Sequence, residues 1–251
     1  MNIIVCCKVV PEEQDIIVKD DDSLDLSRAA VKISQYDLNA IEAAVQLAGA
    51  EGQVTALTAG TPKFLESTKI RKDILSRGPH KLEIIMDPKL EAALPAASAS
   101  VLAEACKDIG FDLIICGEGS GDLYAQQTGL LLGELLGVPV INAVSAVNVE
   151  NGQLVVERDL ERELEILEMP LPALICVSSD INTPKIPTMK AILSAAKKPV
   201  NIRNCGEVKP LSEIISVTVP KAADRKYEII ENDAEENLSA FVGTLRKLLQ
   251  S

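Results

Sequence analysis

Residues 111–129 constrain the fold more than any other stretch of this chain: Phe-Asp-Leu-Ile-Ile-Cys-Gly-Glu-Gly-Ser-Gly-Asp-Leu-Tyr-Ala-Gln-Gln-Thr-Gly. An apolar run leads into Gly117, Gly119 and Gly121, then into polar Asp122, Gln126, Gln127 and Thr128, and an apolar helix over residues 130–136 follows at once. Strand, glycine-rich turn and helix in this order bring backbone N–H groups close to an anion, which the positive end of the helix dipole stabilises. The amide and hydroxyl groups after the turn suit a ribose or a purine. The spacing is not the dinucleotide pattern Gly-x-Gly-x-x-Gly. Two readings stand at this point: a nucleotide site, or three glycines that serve only a tight turn.

The same alternation recurs along the first half of the chain. Residues 2–10 form an apolar run halted by Pro11, and residues 16–19 before the charged turn Asp20-Asp-Asp-Ser23 suggest a short hairpin strand. Residues 38–48 carry apolar side chains at helical spacing behind Asp37, which has the chemistry of an N-cap. A second strand over 53–58 ends in Ala59 and Gly60, with a helix expected over 63–76. A strand over 82–86, a helix over 92–109, a strand over 113–116 and a fifth strand over 140–143 complete the series. Strands alternating with helices of this length predict an α/β fold with a mostly parallel sheet, helices on both faces and right-handed crossovers. Ligands of such sheets sit beyond the carboxyl ends of the strands. The loops after Val10, Ala59 and Cys116, with Ser34, Gln35, Tyr36 and Asp37, are therefore expected to line one crevice.

Beyond residue 145 the texture changes. Short strands over 146–149, 153–158, 164–168 and 173–178, separated by charged turns, predict an antiparallel extension of the sheet. A loop over 182–187 precedes a short helix over 189–198 with a basic end. Residues 199–220 are extended and punctuated by proline, and residues 234–249 form an amphipathic helix. The predicted division is a nucleotide-binding α/β domain over 1–200 and a C-terminal arm and helix over 201–251. A polar, extended arm suits either a partner's surface or an ordinary surface-hugging tail.

Composition excludes several functions. A net charge of −12, with three Tyr, three Phe and no Trp, lacks the basic face and stacking aromatics of a nucleic-acid binder. No run approaches about 18 uninterrupted apolar residues, so no transmembrane segment is expected. The start Met-Asn-Ile-Ile-Val-Cys-Cys-Lys has no secretory pattern, and a cytoplasmic location is the default expectation. Six cysteines without a Cys-x-x-Cys pair, and one histidine, His80, predict no metal site. No nucleophile signature surrounds His80, so no catalytic side chain is expected.

Several segments resemble the beta subunit of electron transfer flavoproteins, in particular the Fix-type bacterial branch. Leu154-Val-Val-Glu-Arg158-Asp-Leu-Glu161-Arg-Glu163-Leu-Glu165-Ile-Leu167, followed after four residues by Pro172-Ala-Leu-Ile-Cys176, follows the beta-subunit signature of a basic residue, clustered acids and a proline before an apolar strand. Its one departure is Arg162, where the family has Gly, Asp or Glu. Cys7-Lys8-Val-Val-Pro11 and residues 34–44, 112–129 and 189–198 also fall in the family's order and spacing. The likeness runs over nearly the whole chain and loosens after Cys205.

The resemblance implies a Rossmann-like fold and an alpha–beta heterodimer. One FAD, in the alpha subunit near the beta interface, takes electrons from dehydrogenases and passes them to a quinone reductase. In the ordinary branch the beta subunit buries an AMP; in an electron-bifurcating branch a second FAD takes that place and meets NADH. Carried over residue by residue, the nucleotide is expected against Cys6, Ser34, Gln35, Tyr36, Asp37, Ala59, Gly60, Gly117, Gly119, Ser120, Gly121, Asp122, Ala125, Gln126, Gln127 and Thr128. Backbone N–H groups over 121–127 are expected on the phosphate, and Asp122 on a ribose hydroxyl or a backbone N–H. Tyr124 stands where bifurcating members typically carry Asp, which favours AMP over a second FAD. Met189 falls at the apolar anchor of the family's dehydrogenase-recognition loop, with Lys190 beside it, and Tyr36 falls at an aromatic near the flavin of the other subunit. The readings carried forward are an electron carrier subunit, a bifurcating subunit with its own FAD and NADH site, and an ATP-binding regulatory protein of the same fold.

Overall fold

In chain order the strands are β1 (Asn2–Cys6), β2 (Val9–Pro11), β3 (Ile17–Val18), β4 (Leu24–Asp25), β5 (Val31–Ile33), β6 (Gln53–Gly60), β7 (Lys81–Met86), β8 (Leu113–Gly117), β9 (Val140–Glu150), β10 (Gln153–Asp159), β11 (Leu164–Met169), β12 (Ala173–Val177) and β13 (Val200–Arg203). The helices are α1 (Gln35–Ala48), α2 (Pro62–Leu65), α3 (Thr68–Ser76), α4 (Pro95–Ile109), α5 (Thr128–Leu136), α6 (Met189–Ala195) and α7 (Glu235–Leu249). This computed structural model describes residues 1–91, 93–208, 212–220, 227, 229–230, 232 and 234–250. Ala92, the expected first residue of a helix, and residues 209–211 of the expected arm lie outside them.

Nine strands form one sheet in the order β11-β10-β9-β12-β8-β1-β6-β7-β13. Every pairing from β9 to β13 is parallel, and β10 pairs antiparallel with both β9 and β11. The α/β architecture expected from the alternation is the one observed. From β1 the chain steps to β6 and β7 on one side, then returns through α4 to place β8 on the other side of β1. Two cores follow from this winding. On one face Ile3, Val5, Ile41, Leu75 and Ile115 pack together; on the other Ile4, Leu57, Leu102, Cys106 and Ile114 do. Successive strand side chains point to opposite faces, so a strand covered on both sides must be apolar throughout. Burying each such Ile or Leu contributes about 1.5–3 kcal/mol.

Several local expectations need correction. The run over 2–10 is two strands, because β1 ends at Cys6 and β2 leaves the main sheet to pair with β5. The helix over 63–76 is two helices, α2 and α3, broken between Leu65 and Thr68. Residues 140–143 and 146–149 are one strand, β9. β12 is not an antiparallel piece: it inserts between β9 and β8 and runs parallel to both, so its five apolar residues are all buried. Val200–Arg203, expected in the arm, joins the sheet edge beside β7. The N-cap of α1 is Ser34 rather than Asp37.

The chain divides into two compact units, Met1–Val217 and Thr218–Ser251. In the second, α7 places Glu235 and Glu236 in its first turn and Arg246 and Lys247 in its last, each complementing the helix dipole. Its Leu238, Phe241, Val242 and Leu245 recur at helical spacing along one side.

Candidate functional site

β1 is the strand at which the winding direction reverses, and a crevice opens beyond the carboxyl ends of β1, β6 and β8. Open parallel sheets bind ligands at this switch point because the loops on either side of it diverge. From β1 and the residues after it come Cys6, Cys7 and Lys8; from β6, Leu57 and Ala59; from β8 and the glycine-rich loop, Cys116, Gly117, Glu118, Gly119 and Ser120. Leu123, Ala125, Gln126 and Gln127 lead into Thr128 and Gly129 of α5. Asp37 enters from α1, and Ala93, Pro95, Ser98 and Leu102 close the far side.

Of the residues expected from sequence, Cys6, Asp37, Ala59, Gly117, Gly119, Ser120, Ala125, Gln126, Gln127 and Thr128 line this crevice. The others stand around it. Ser34 is fully buried, and its hydroxyl oxygen accepts a hydrogen bond from the Gly121 N–H at 3.3 Å. Gln35 opens α1 and is exposed, and Gly60 ends β6. The Tyr36 ring packs on Tyr124, with centroids 5.1 Å apart. Asp122 sits at the rim, where it accepts from the Ser120 hydroxyl at 2.5 Å and from the Leu123 N–H at 2.8 Å.

Asp37 ties the walls together. Its carboxylate accepts the Lys8 N–H at 2.7 Å and the Gly117 N–H at 3.2 Å, joining the ends of β1 and β8 to α1. Burial pushes its carboxyl up to about 7, and these two N–H groups oppose that rise. The tight fit demands glycine at position 117: a Cβ there would stand 2.6 Å from Asp37 Oδ1 and 2.8 Å from the Tyr36 carbonyl carbon. At Gly119 a side chain would have to displace the Tyr124 ring.

At the rim the Lys8 ammonium donates to both Asp122 oxygens, at 2.8 and 2.6 Å. Burial raises the Asp122 pKa, but the Lys8 ammonium and the Ser120 hydroxyl outweigh it and hold the carboxyl below its ordinary range. Tyr124 donates its hydroxyl to Glu118 at 3.0 Å, and partial burial together with that carboxylate pushes the phenol up to about 12. Tyr124 and Gln126 have φ values of 44° and 55°, the left-handed region that few side chains occupy. Backbone strain gathered in one loop is typical of a ligand clamp.

The thiol of Cys6 is pushed up by its contact with the Cys106 thiol and by burial, and Cys7 is pushed up by burial. Protonated, buried thiols are poor nucleophiles. His80 is spent on structure, since its Nδ1 accepts the Val54 N–H at 3.0 Å. Among the described residues no cluster of His, Cys, Asp and Glu has the arrangement of a metal site. Leu57, Ala59, Ala93 and Leu102 offer an apolar slot for a flat ring, and Ser98, Gln126, Gln127 and Thr128 offer hydroxyl and amide groups for a sugar. Thr128 and Gly129, the first residues of α5, line the same space, and the opening N–H groups of a helix have no partner within it, as a phosphate requires. This lining has the chemistry of a nucleotide site.

Glu118 and Leu123 fall within the expected stretch 117–128, whereas sequence reasoning missed Cys7, Lys8, Leu57, Cys116 and Gly129, all adjacent to or near expected residues, and the whole contribution of Ala93, Pro95, Ser98 and Leu102. The former were within reach from the expected strands themselves, since Cys7 and Lys8 lie in the run over 2–10, Leu57 in that over 53–58 and Cys116 in that over 113–116. The latter had no local signal, because only the return of the chain to β8 brings the start of α4 over the crevice.

Apart from this site, Ile186, Met189 and Leu193 are 91%, 72% and 69% exposed on and just before α6, with Lys190 exposed beside them. Thr188 caps the helix by accepting the Ala191 N–H. The loop before it is tied to α1: Asn39 donates to the Asn182 carbonyl at 2.7 Å, and Lys185 pairs with Glu42 at 2.8 Å. Residues 23–205 match the family model of the electron transfer flavoprotein domain. The match spans α1, the glycine-rich loop, α6 and β13, while Cys6 and Lys8 precede it.

Proposed function

The chain belongs to the electron transfer flavoprotein domain family, and from that premise we propose that it is the beta subunit of a Fix-type heterodimer that carries electrons from dehydrogenases through FAD to a downstream acceptor. The observation that carries this reading is the crevice at the β1 switch point, with its glycine-rich loop, apolar slot and α5 N-terminus. AMP is the nucleotide assigned to it. Tyr124, packed against Gly119 and the Tyr36 ring, supports the smaller ligand because it stands where bifurcating members typically carry Asp.

FAD held at the interface with an alpha subunit supplies the one-electron chemistry, and the protein supplies its binding, orientation and access. The residues of this chain bind and position the nucleotide and the partners. Met189 is the docking anchor for an acyl-CoA-type dehydrogenase or a quinone-reductase-type acceptor, with Lys190 beside it. An exposed, unbranched thioether adapts to several partners, and a few apolar anchors can carry an interface. With Val200–Arg203 taken up by the sheet edge, α7 packs on the alpha subunit, and the complex works in the cytoplasm.

Co-expression with a cognate alpha subunit tests the assignment. A stable yellow heterodimer is expected, in which Met189→Ala slows electron transfer from the dehydrogenase without lowering flavin content. A colourless, stable monomer that ignores the alpha subunit contradicts it. Flavin released from the isolated beta chain, instead of AMP, would favour the bifurcating form.

A further inference from the structure

Three features of the rim bear on how the crevice handles charge. First, among the described residues that line it, Lys8 is the one basic side chain, against the carboxylates Asp37 and Glu118. A phosphate monoester entering such a space is repelled by Glu118 and by the ionised fraction of Asp37 unless a cation offsets them. Second, much of the glycine-rich loop has already committed its backbone donors. The N–H of Gly117 goes to Asp37, that of Gly121 to Ser34, that of Leu123 to Asp122 and that of Tyr124 to the Ser120 carbonyl. Main-chain donors for an anion come instead from the start of α5.

Third, Lys8 is held from every side. Its N–H is bound by Asp37 at 2.7 Å, its carbonyl accepts the Ser34 N–H at 2.9 Å, and its ammonium spans both oxygens of Asp122. An ammonium has three N–H donors, and this pairing uses two. The side chain is 42% exposed, so the pair contributes little to stability by itself. Its value lies in position: the pair fixes a cation at the mouth of a crevice whose other charged lining residues are Asp37 and Glu118.

We propose that Lys8 is the phosphate-positioning residue of the crevice, with Asp122 holding its ammonium at the rim so that the remaining N–H meets a phosphate oxygen of the bound nucleotide. The proposal rests on the nucleotide reading above. Asp122 then acts through Lys8 rather than on the ribose.

Calorimetric titration of the full-length chain, freed of bound nucleotide, with AMP and with adenosine tests it. Wild type is expected to prefer AMP. Lys8→Met should cost about tenfold in AMP affinity and leave adenosine affinity unchanged, the loss of one charge-assisted hydrogen bond. Lys8→Arg should keep most of the preference, and thermal melting should show all three proteins folded. Equal losses for AMP and adenosine, or an AMP preference untouched in Lys8→Met, would overturn the proposal. A wild-type chain that binds neither probe and releases no nucleotide on denaturation would remove the nucleotide reading itself, and the role of Lys8 with it.

Discussion

β8 and β12 bury their apolar runs without interruption, whereas β10 and β11, at the far edge of the same sheet, bury alternate residues. Leu113 to Cys116 and all of Ala173–Val177 are covered. In the hairpin, Leu154 and Val156 face inward while Leu164 and Ile166 are 53% and 61% exposed. The cause is coverage: the central parallel strands contribute to both cores, whereas the hairpin contributes Leu154, Val156 and Met169 to only one of them. Continuous burial is what makes the carboxyl edge of the parallel strands a rigid platform. A ligand clamp built from strand ends is only as precise as the strands beneath it. The two regions also treat charge differently. Asp37 is held beneath the crevice with its carboxyl raised to about 7, while the hairpin keeps the Arg158–Glu165 pair, 3.4 Å apart, partly in water.

The comparison breaks first at its buried end. Ile115→Ala empties a fully buried site between β1 and β12, and a loss of about 2–5 kcal/mol in a denaturant titration is expected. A loss as small as that of a surface residue would mean that the parallel strands are not closely packed. Charge sharpens it next. Because the folded-state carboxyl of Asp37 lies near 7 against an ordinary value of 3.8, the folded chain keeps a proton that the unfolded chain has lost between those values. Its contribution to stability therefore falls as pH rises from 3.8 to about 7 and is level above that. Asp37→Asn should flatten this decline when melting temperatures at about pH 5 and about pH 8 are compared. An unchanged slope would place the titration elsewhere. The smallest effect belongs to the hairpin: Ile166→Ser should shift stability by no more than about 0.5 kcal/mol. A large loss there would show that its outward face is covered.

The parallel half was the more legible region. Ile3, Ile114 and their neighbours announce themselves as short apolar runs, and Gly117 and Gly119 mark where the chain must turn closely. Asp37 was singled out as a helix cap and a site residue, yet its partners at Lys8 and Gly117 belong to two other segments, so its role as a brace was invisible. The Lys8–Asp122 pair spans 114 positions, and no local pattern reports a contact of that range. β12 was misplaced for the same reason. Its run Ala-Leu-Ile-Cys-Val has the texture of a buried parallel strand, but its position after a hairpin suggested another antiparallel piece. Val200–Arg203 is four residues long, too short for periodicity to distinguish an edge strand from an extended arm.

The central claim is that the crevice beyond β1 and β8 encloses an adenine nucleotide. Denaturing the purified full-length chain and identifying the released small molecule by mass spectrometry tests it most directly. AMP in stoichiometric amount is the expected result. A chain that is folded, intact and releases no nucleotide would contradict it.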